Sequence, residues 1–223
     1  MAPLSDDFLG HFYYGLREDY LERVKGERKP LSEVFLGLTR NNPVMITCDQ
    51  HLVPNGAVKS VGYILKKQYL QEAIGAYDQF LNWRWAKIQE QMGSGYEGQG
   101  WVYSPNPAFI VDGLRHSLEY IYFDRKEAEK KVNFEVLGTL EGFGKKTWEN
   151  VRQNTKAAIV YYYPPGTHFQ VTCTVEVQKS GLVREFINRA ACAAHGENPA
   201  KWPWRTAYIF HVEEVLDKSV YPA

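Results

Sequence analysis

From Phe169 to Gln178 the chain alternates without a break. Phe169, Val171, Cys173, Val175 and Val177 are apolar, and Gln170, Thr172, Thr174, Glu176 and Gln178 between them are polar. A period of two held this long is that of a strand with one face in a core and the other in water. Such a strand needs hydrogen-bonded neighbours and a layer over its apolar face, so the chain must build an antiparallel sheet around it.

The neighbours can be found. "AAIVYYYP" precedes the alternating strand across Pro164-Pro165-Gly166, "KVNFEVLGTLEG" lies upstream, and "RTAYIFHVEEVL" closes the set. Earlier, "PVMITCDQ" reads as a strand, "HLVPNG" as a turn and "AVKSVGYIL" as its hairpin partner. Helical spacing appears elsewhere. Phe8, Phe12, Leu16, Tyr20 and Val24 recur every fourth residue, which predicts an amphipathic helix over 7–25, closed by Gly26 and Pro30. Ser32 can cap a short helix that turns Val34, Phe35 and Leu38 inward. Leu70, Ala73, Ile74, Tyr77, Leu81 and Ile88 predict a helix over 66–92. Residues 101–131 fit either a helix or a strand at "LEYIYF", and the helix is the reading adopted. "TWENVRQN" and "LVREFINRAACAA" are helical. The expected class is α+β: one domain, 1–223, with an antiparallel small barrel or strongly curled sheet, peripheral helices and a largely helical insertion over 66–131.

Composition narrows the function. Lysine plus arginine number 26, as do aspartate plus glutamate, so the net charge is zero and nothing marks a nucleic-acid or anionic-membrane partner. No run approaches the ~18 apolar residues of a membrane span. Cys48, Cys173 and Cys192 are an odd set without paired spacing, which suggests reduced thiols and a cytoplasmic setting. The acidic start "MAPLSDDFLG" lacks the order of a signal peptide. Cys48 and His51 form a lone CxxH, too little for a zinc site. Gly93, Gly95 and Gly98 spell GxGxxG, but the motif follows a helix instead of a strand, so it reads as a loop, and with Trp83 and Trp85 before it as a cover over a pocket.

"EGFGKKTWENVRQN" holds the chemistry. Lys145, Lys146 and Thr147 stand where the chain turns into a helix, and Gly142 and Gly144 let backbone approach a ligand. Helix N-termini present unpaired amides and a partial positive charge, a natural seat for phosphate. The plainer alternative makes the lysines solvated and Thr147 a helix cap. A second candidate is "KWPWRTAYIF": Trp202 and Trp204 are suited to stacking on a planar group and Arg205 to anchoring it, or the tryptophans plug a barrel end or an interface.

The run "GKKTWENVRQNTKAAIVYYYPPGTHFQVTCTVEVQKSG" resembles the middle of the FMN-binding split-barrel family, the pyridoxamine-phosphate-oxidase-like flavoproteins. The likeness lies in Lys146 and Thr147 opening a helix, Asn150 and Asn154 after them, the strand from Ala158, and the alternation from Phe169. It implies an antiparallel split β-barrel and an FMN cofactor with its phosphate on Lys145, Lys146 and Thr147, Asn150 nearby, and Lys59 as the cation of the opening hairpin. It further implies a homodimer with the flavin at the subunit interface and an oxidoreductase acting on a small-molecule substrate. Trp148, Tyr161 and Tyr163 are candidates for the dimer surface. The alternatives are a flavin-free binding or scaffold protein and a cofactor-free enzyme on the same barrel.

Overall fold

The computed structural model describes residues 3–26, 30–93, 107–195 and 198–220. The alternating segment is its longest strand, β6 (Thr167–Gln178), and the sheet is built outward from it. The others are β1 (Val44–Cys48), β2 (Pro54–Val58), β3 (Gly62–Leu65), β4 (Val132–Leu140), β5 (Lys156–Tyr163) and β7 (Ala207–Asp217). All pairings are antiparallel, in the order β2-β1-β5-β6-β7-β4-β3. The class is α+β on a seven-stranded antiparallel sheet.

The two ends of that order, β2 and β3, are separated by residues 59–61 alone. Four Cα steps limit their separation to about 15 Å. The sheet therefore curls until its edges face each other, but no ladder joins β2 to β3, and the ring of hydrogen bonds stays open there. The pattern of "AVKSVGYIL" predicts one hairpin arm, which the pairing corrects. It is two strands. "PNGAV" pairs with β1, Val58 opposite Val44, whereas "GYIL" crosses to β4, Gly62 opposite Gly138. Tyr63, Ile64 and Leu65 are all buried, a pattern that an exposed hairpin arm would not support.

The N-terminal helical segment explains its own spacing. Positions four apart advance about 40° beyond a full turn at each step, so a strict repeat would spiral off the buried face of an α-helix. Here α1 (Asp6–Leu9) and α2 (Gly15–Val24) are joined by a π turn, Gly10–Tyr14, whose extra residue takes up the drift. Arg40 donates to the His11 carbonyl in that turn at 2.9 Å and bonds Asp19 at 2.8 Å. Phe8 and Phe12 are then both fully buried against Tyr161 and Phe169, with ring centroids 4.8–5.9 Å apart, inside the curl. Tyr161 is thus core, and it is withdrawn from the surface proposed for it.

The remaining helices are α3 (Leu31–Leu38), α4 (Lys67–Met92), α5 (Pro107–Tyr120), α6 (Arg125–Lys131), α7 (Lys146–Gln153) and α8 (Leu182–His195). Helix α8 lies on the β3–β4 side of the sheet, and Gly138 lets it come close. A Cβ at Gly138 would stand 2.6 Å from Ile187 Cδ1 and 3.0 Å from Ile64 Cδ1. Behind α8, buried Arg84 of α4 donates to the carbonyls of Cys192 and Ala193 and so caps its last turn. No helix among the described residues is long and apolar enough to cross a membrane.

Candidate cofactor site

A cavity of about 570 Å³ runs along the open seam between β2 and β3. One wall is the continuous stretch from Ala57 to Tyr63, with Asn55 beside it; facing it are β4 from Gly138, the loop after it and the start of α7. As terminal strands, β2 and β3 each carry one edge whose backbone groups have no ladder partner. Register orders the cavity from end to end. Tyr63 is level with Leu137, Gly62 with Gly138, Thr139 Oγ1 donates to the Ser60 carbonyl at 2.6 Å, and Lys59 meets Glu141. Leu137 to Glu141 spans about 13 Å at the rise of a strand. One end is lined by tyrosines, the other by charges.

The charged end is built by the β4–α7 loop. Gly144 adopts φ +61°, the left-handed conformation that glycine allows, and swings the chain into α7. Lys145, in extended backbone, is the N-cap residue and makes no side-chain cap bond; the first helical bond is Glu149 N–H to the Lys145 carbonyl at 3.2 Å. The amides of Lys146, Thr147 and Trp148 therefore have no partner within the helix. Thr147 sits one residue inside the helix and does not cap it. Its hydroxyl accepts from Asn55 Nδ2 at 3.1 Å, tying α7 to β2.

Lys145, Lys146, Thr147, Lys59, Trp202 and Arg205 all line the cavity. Lys146 Nζ is 3.7 Å from Asp49 Oδ2, with its side chain half exposed. The amides of Val53 and His51, with Lys146, hold the Asp49 carboxyl below its usual range. Lys59 is committed more firmly, bonded to Glu141 Oε2 at 3.2 Å with both side chains about nine-tenths buried. Glu141 also accepts from the Tyr208 hydroxyl at 2.6 Å and from the amides of Phe143 and Gly144 at 2.9 Å each. Burial alone would raise the Glu141 carboxyl, but these donors and Lys59 outweigh it and hold it low. The Tyr208 phenol is pushed up by burial and then by that carboxylate.

Trp202 and Arg205 are set by a buried asparagine on α8. Asn188 Oδ1 accepts from Trp202 Nε1 at 3.0 Å and from Arg205 N–H at 2.9 Å, and its Nδ2 donates to the Arg205 carbonyl at 3.0 Å and the Arg184 carbonyl at 2.9 Å. The Arg205 guanidinium reaches over Gly142, toward the charged end. Two of the expected residues stand apart from the cavity. Trp204 lies outside it, half exposed, with the guanidinium of Arg189 4.9 Å and that of Arg184 5.6 Å from its ring centroid. Asn150 is fully buried beneath α7, donating to Thr47 Oγ1 at 3.2 Å, and its Oδ1 has no partner among the described residues. No side chain of α4 lines the cavity; α8 and the end of α5 cover it instead. The glycine-rich loop expected to act as a cover, Gly93 to Gly100, lies outside the described residues from position 94 onward.

Sequence reasoning missed Glu141, Asn188 and the tyrosines. Asn188 carried a signal, a polar residue four before Cys192 on the stripe that α8 buries. Glu141 carried little, because its partners come from positions 59, 143, 144 and 208.

No protein-family model matches the chain, and no curated protein matches it. Among solved structures it is similar to Group A Streptococcus HupZ, at 12% identity, TM-score 0.42, covering 86% of this chain and 96% of that one. A Listeria innocua protein provisionally described as a pyridoxamine 5′-phosphate oxidase has 9% identity, TM-score 0.43 and coverage of 85% and 98%. An FMN-binding protein from Syntrophomonas wolfei has 10% identity, TM-score 0.40 and coverage of 97% and 95%. At the level of structure, then, the chain is similar to pyridoxamine 5′-phosphate oxidase-like and FMN-binding proteins.

Proposed function

We propose that the seam cavity seats FMN and that the protein is a homodimeric, FMN-dependent oxidoreductase of the split-barrel class acting on a small molecule. The observation that carries this reading is the charged end: an uncapped helix start with Lys145, Lys146 and Thr147 around it, opening into a cavity of cofactor size. The phosphate takes the free amides of α7 and the two lysines. The unpaired edges of β2 and β3 suit the polar rim of a flat ring, and Trp202 and Arg205 stand beside it. FMN, when bound, supplies hydride or electron transfer; the chain's task is to bind and orient it and to exclude water.

The dimer surface belongs on the outer face of β2-β1-β5. There Val58, Val44 and Tyr162 are exposed, at 69%, 37% and 48%, whereas the outer face of β6–β7 carries Glu176, His211, Thr174 and Glu213. Val58 also lines the cavity, so a second copy on this face would close its mouth. Val58→Asp should give a monomer by light scattering; a wild-type monomer at micromolar concentration removes the homodimer.

The test of the cofactor is titration with FMN and with riboflavin, followed by flavin fluorescence. FMN should bind at least about tenfold more tightly, the worth of one charge-assisted hydrogen bond. Equal affinity, or none, removes the reading. The flavin-free binding protein is favoured by one observation: Glu141 neutralises Lys59 and Asp49 partly neutralises Lys146, which lowers the charge available to a phosphate.

A further inference from the structure

The end of the cavity level with Tyr63 and Leu137 has a different chemistry. It is lined by Tyr20, Tyr63, Tyr122, Ser117, Ile121 and Phe186, and the charged lining residues Lys59, Glu141, Lys145, Lys146 and Arg205 all belong to the other end. Ser117 already donates its hydroxyl to the Gly113 carbonyl at 2.9 Å. The rings meet edge to face, Tyr20 with Tyr122 at 5.2 Å and Tyr63 with Tyr122 at 6.1 Å. Burial pushes the Tyr20 phenol up to about 12 and raises those of Tyr63 and Tyr122 well above their ordinary value, which marks a dry environment. A charged group placed there would lose its hydration, and no charged side chain lines this end to offset that; Arg23 acts on the Tyr20 phenol from outside the lining, with Asp19 opposing it. A flat ring would extend the edge-to-face array.

We propose that the tyrosine end binds a second molecule beside the cofactor, small, flat, aromatic and uncharged, and that this is the substrate class of the site. The assignment as substrate rests on the reading of the charged end as the flavin seat. The flavin's polar rim is better served by the rest of the cavity, where the unpaired edge of β2, Lys59 and Arg205 stand, than by this end, where β3 offers one short edge among aromatic rings.

The probes are 2-naphthol and its anionic counterpart of like shape, 2-naphthoate, titrated by calorimetry into the protein with and without saturating FMN. 2-Naphthol should bind equally in both, and 2-naphthoate at least about tenfold more weakly. Ser117→Leu, which fills the tyrosine end from the partly buried face of α5, should remove 2-naphthol binding and leave FMN affinity intact. The proposal is overturned if 2-naphthol does not bind, if 2-naphthoate binds as well, if FMN and 2-naphthol compete, or if Ser117→Leu loses both ligands. Selective 2-naphthol binding in a protein that takes no FMN would instead strike the flavin reading and leave a compartment for neutral aromatics standing.

Discussion

Glu141 and His116 are both buried and both titratable, and they live under opposite conditions. Glu141, beneath the charged end of the cavity, receives the Tyr208 hydroxyl, two loop amides and Lys59. His116, in the helical layer, is enclosed by Phe80 stacked at 4.4 Å, Tyr77 at 4.4 Å and Tyr120 at 4.6 Å, and its Nε2 has no partner among the described residues. The carboxyl stays below its usual range in spite of burial, while burial, and then Arg84, push the imidazole down to about 4. Depth of burial is therefore a poor guide to what a polar group does to stability. Partners decide it.

The sharpest way to break this comparison is Glu141→Gln. The shape is kept, but Lys59 is left buried and uncompensated, a loss of about 3–5 kcal/mol. Urea denaturation with an unchanged slope would measure it. A loss below about 1 kcal/mol would mean that Lys59 escapes to water and that the cluster holds little. Asn188→Ala should follow, at about 2–3 kcal/mol, since it strands Trp202 Nε1 and the Arg205 amide. The indole would also lose its anchor in the cavity wall, so tryptophan emission should shift to the red on the still-folded variant.

These two clusters also show where the sequence was readable. Strand β6 announced itself because burial alternates residue by residue along a straight element, and the turn of Lys145–Lys146–Thr147 into α7 was visible in the glycines before it. The crossing from β2 to β3 was not legible. Lys59-Ser60-Val61 look like the middle of one strand, and only the pairing of Gly62 with Gly138, 76 positions away, makes them a seam. Glu141 was hidden for the same reason, its partners being contributed by three separate parts of the chain. Asn150 shows the converse: its helix was read correctly, but the side chain turned to Thr47 and the core, which periodicity does not foretell.

His116 gives a smaller effect, confined to a pH window. Its folded value is depressed, so the neutral form is the one that folding favours. The contribution is complete above the ordinary histidine value near 6.5 and is lost as pH falls toward 4. Glu141 is also depressed, but its contribution fades only below the carboxylate range near 4.5, which separates the two. His116→Phe should leave the melting temperature nearly unchanged at pH 7 and, at pH 5, gain about 1–2 kcal/mol over wild type, allowing for partial solvent screening. Equal acid sensitivity in both proteins would place the labile group elsewhere.

The smallest effect concerns the two lysines at the start of α7, which repeat the contrast at the surface. Lys146 shares Asp49 at 3.7 Å and is half exposed, so part of its charge is already spoken for. Lys145 lies with its Nζ 5.7 Å from the Phe143 ring centroid, and a ring face engages an ammonium weakly. If FMN phosphate rests here, Lys146→Ala should weaken FMN by about 0.5–1 kcal/mol, roughly two- to fivefold, and leave riboflavin unmoved. Lys145→Ala should weaken FMN more. Asp49→Asn, by releasing Lys146, should strengthen FMN and enlarge the effect of Lys146→Ala measured in that background. The ratio of FMN to riboflavin affinity in the wild type and the four variants decides the matter, since fold damage would lower both ligands together. A ratio that stays constant through all the substitutions would mean that both lysines are solvated and that the phosphate, if it binds, is held from the Arg205 side of the cavity.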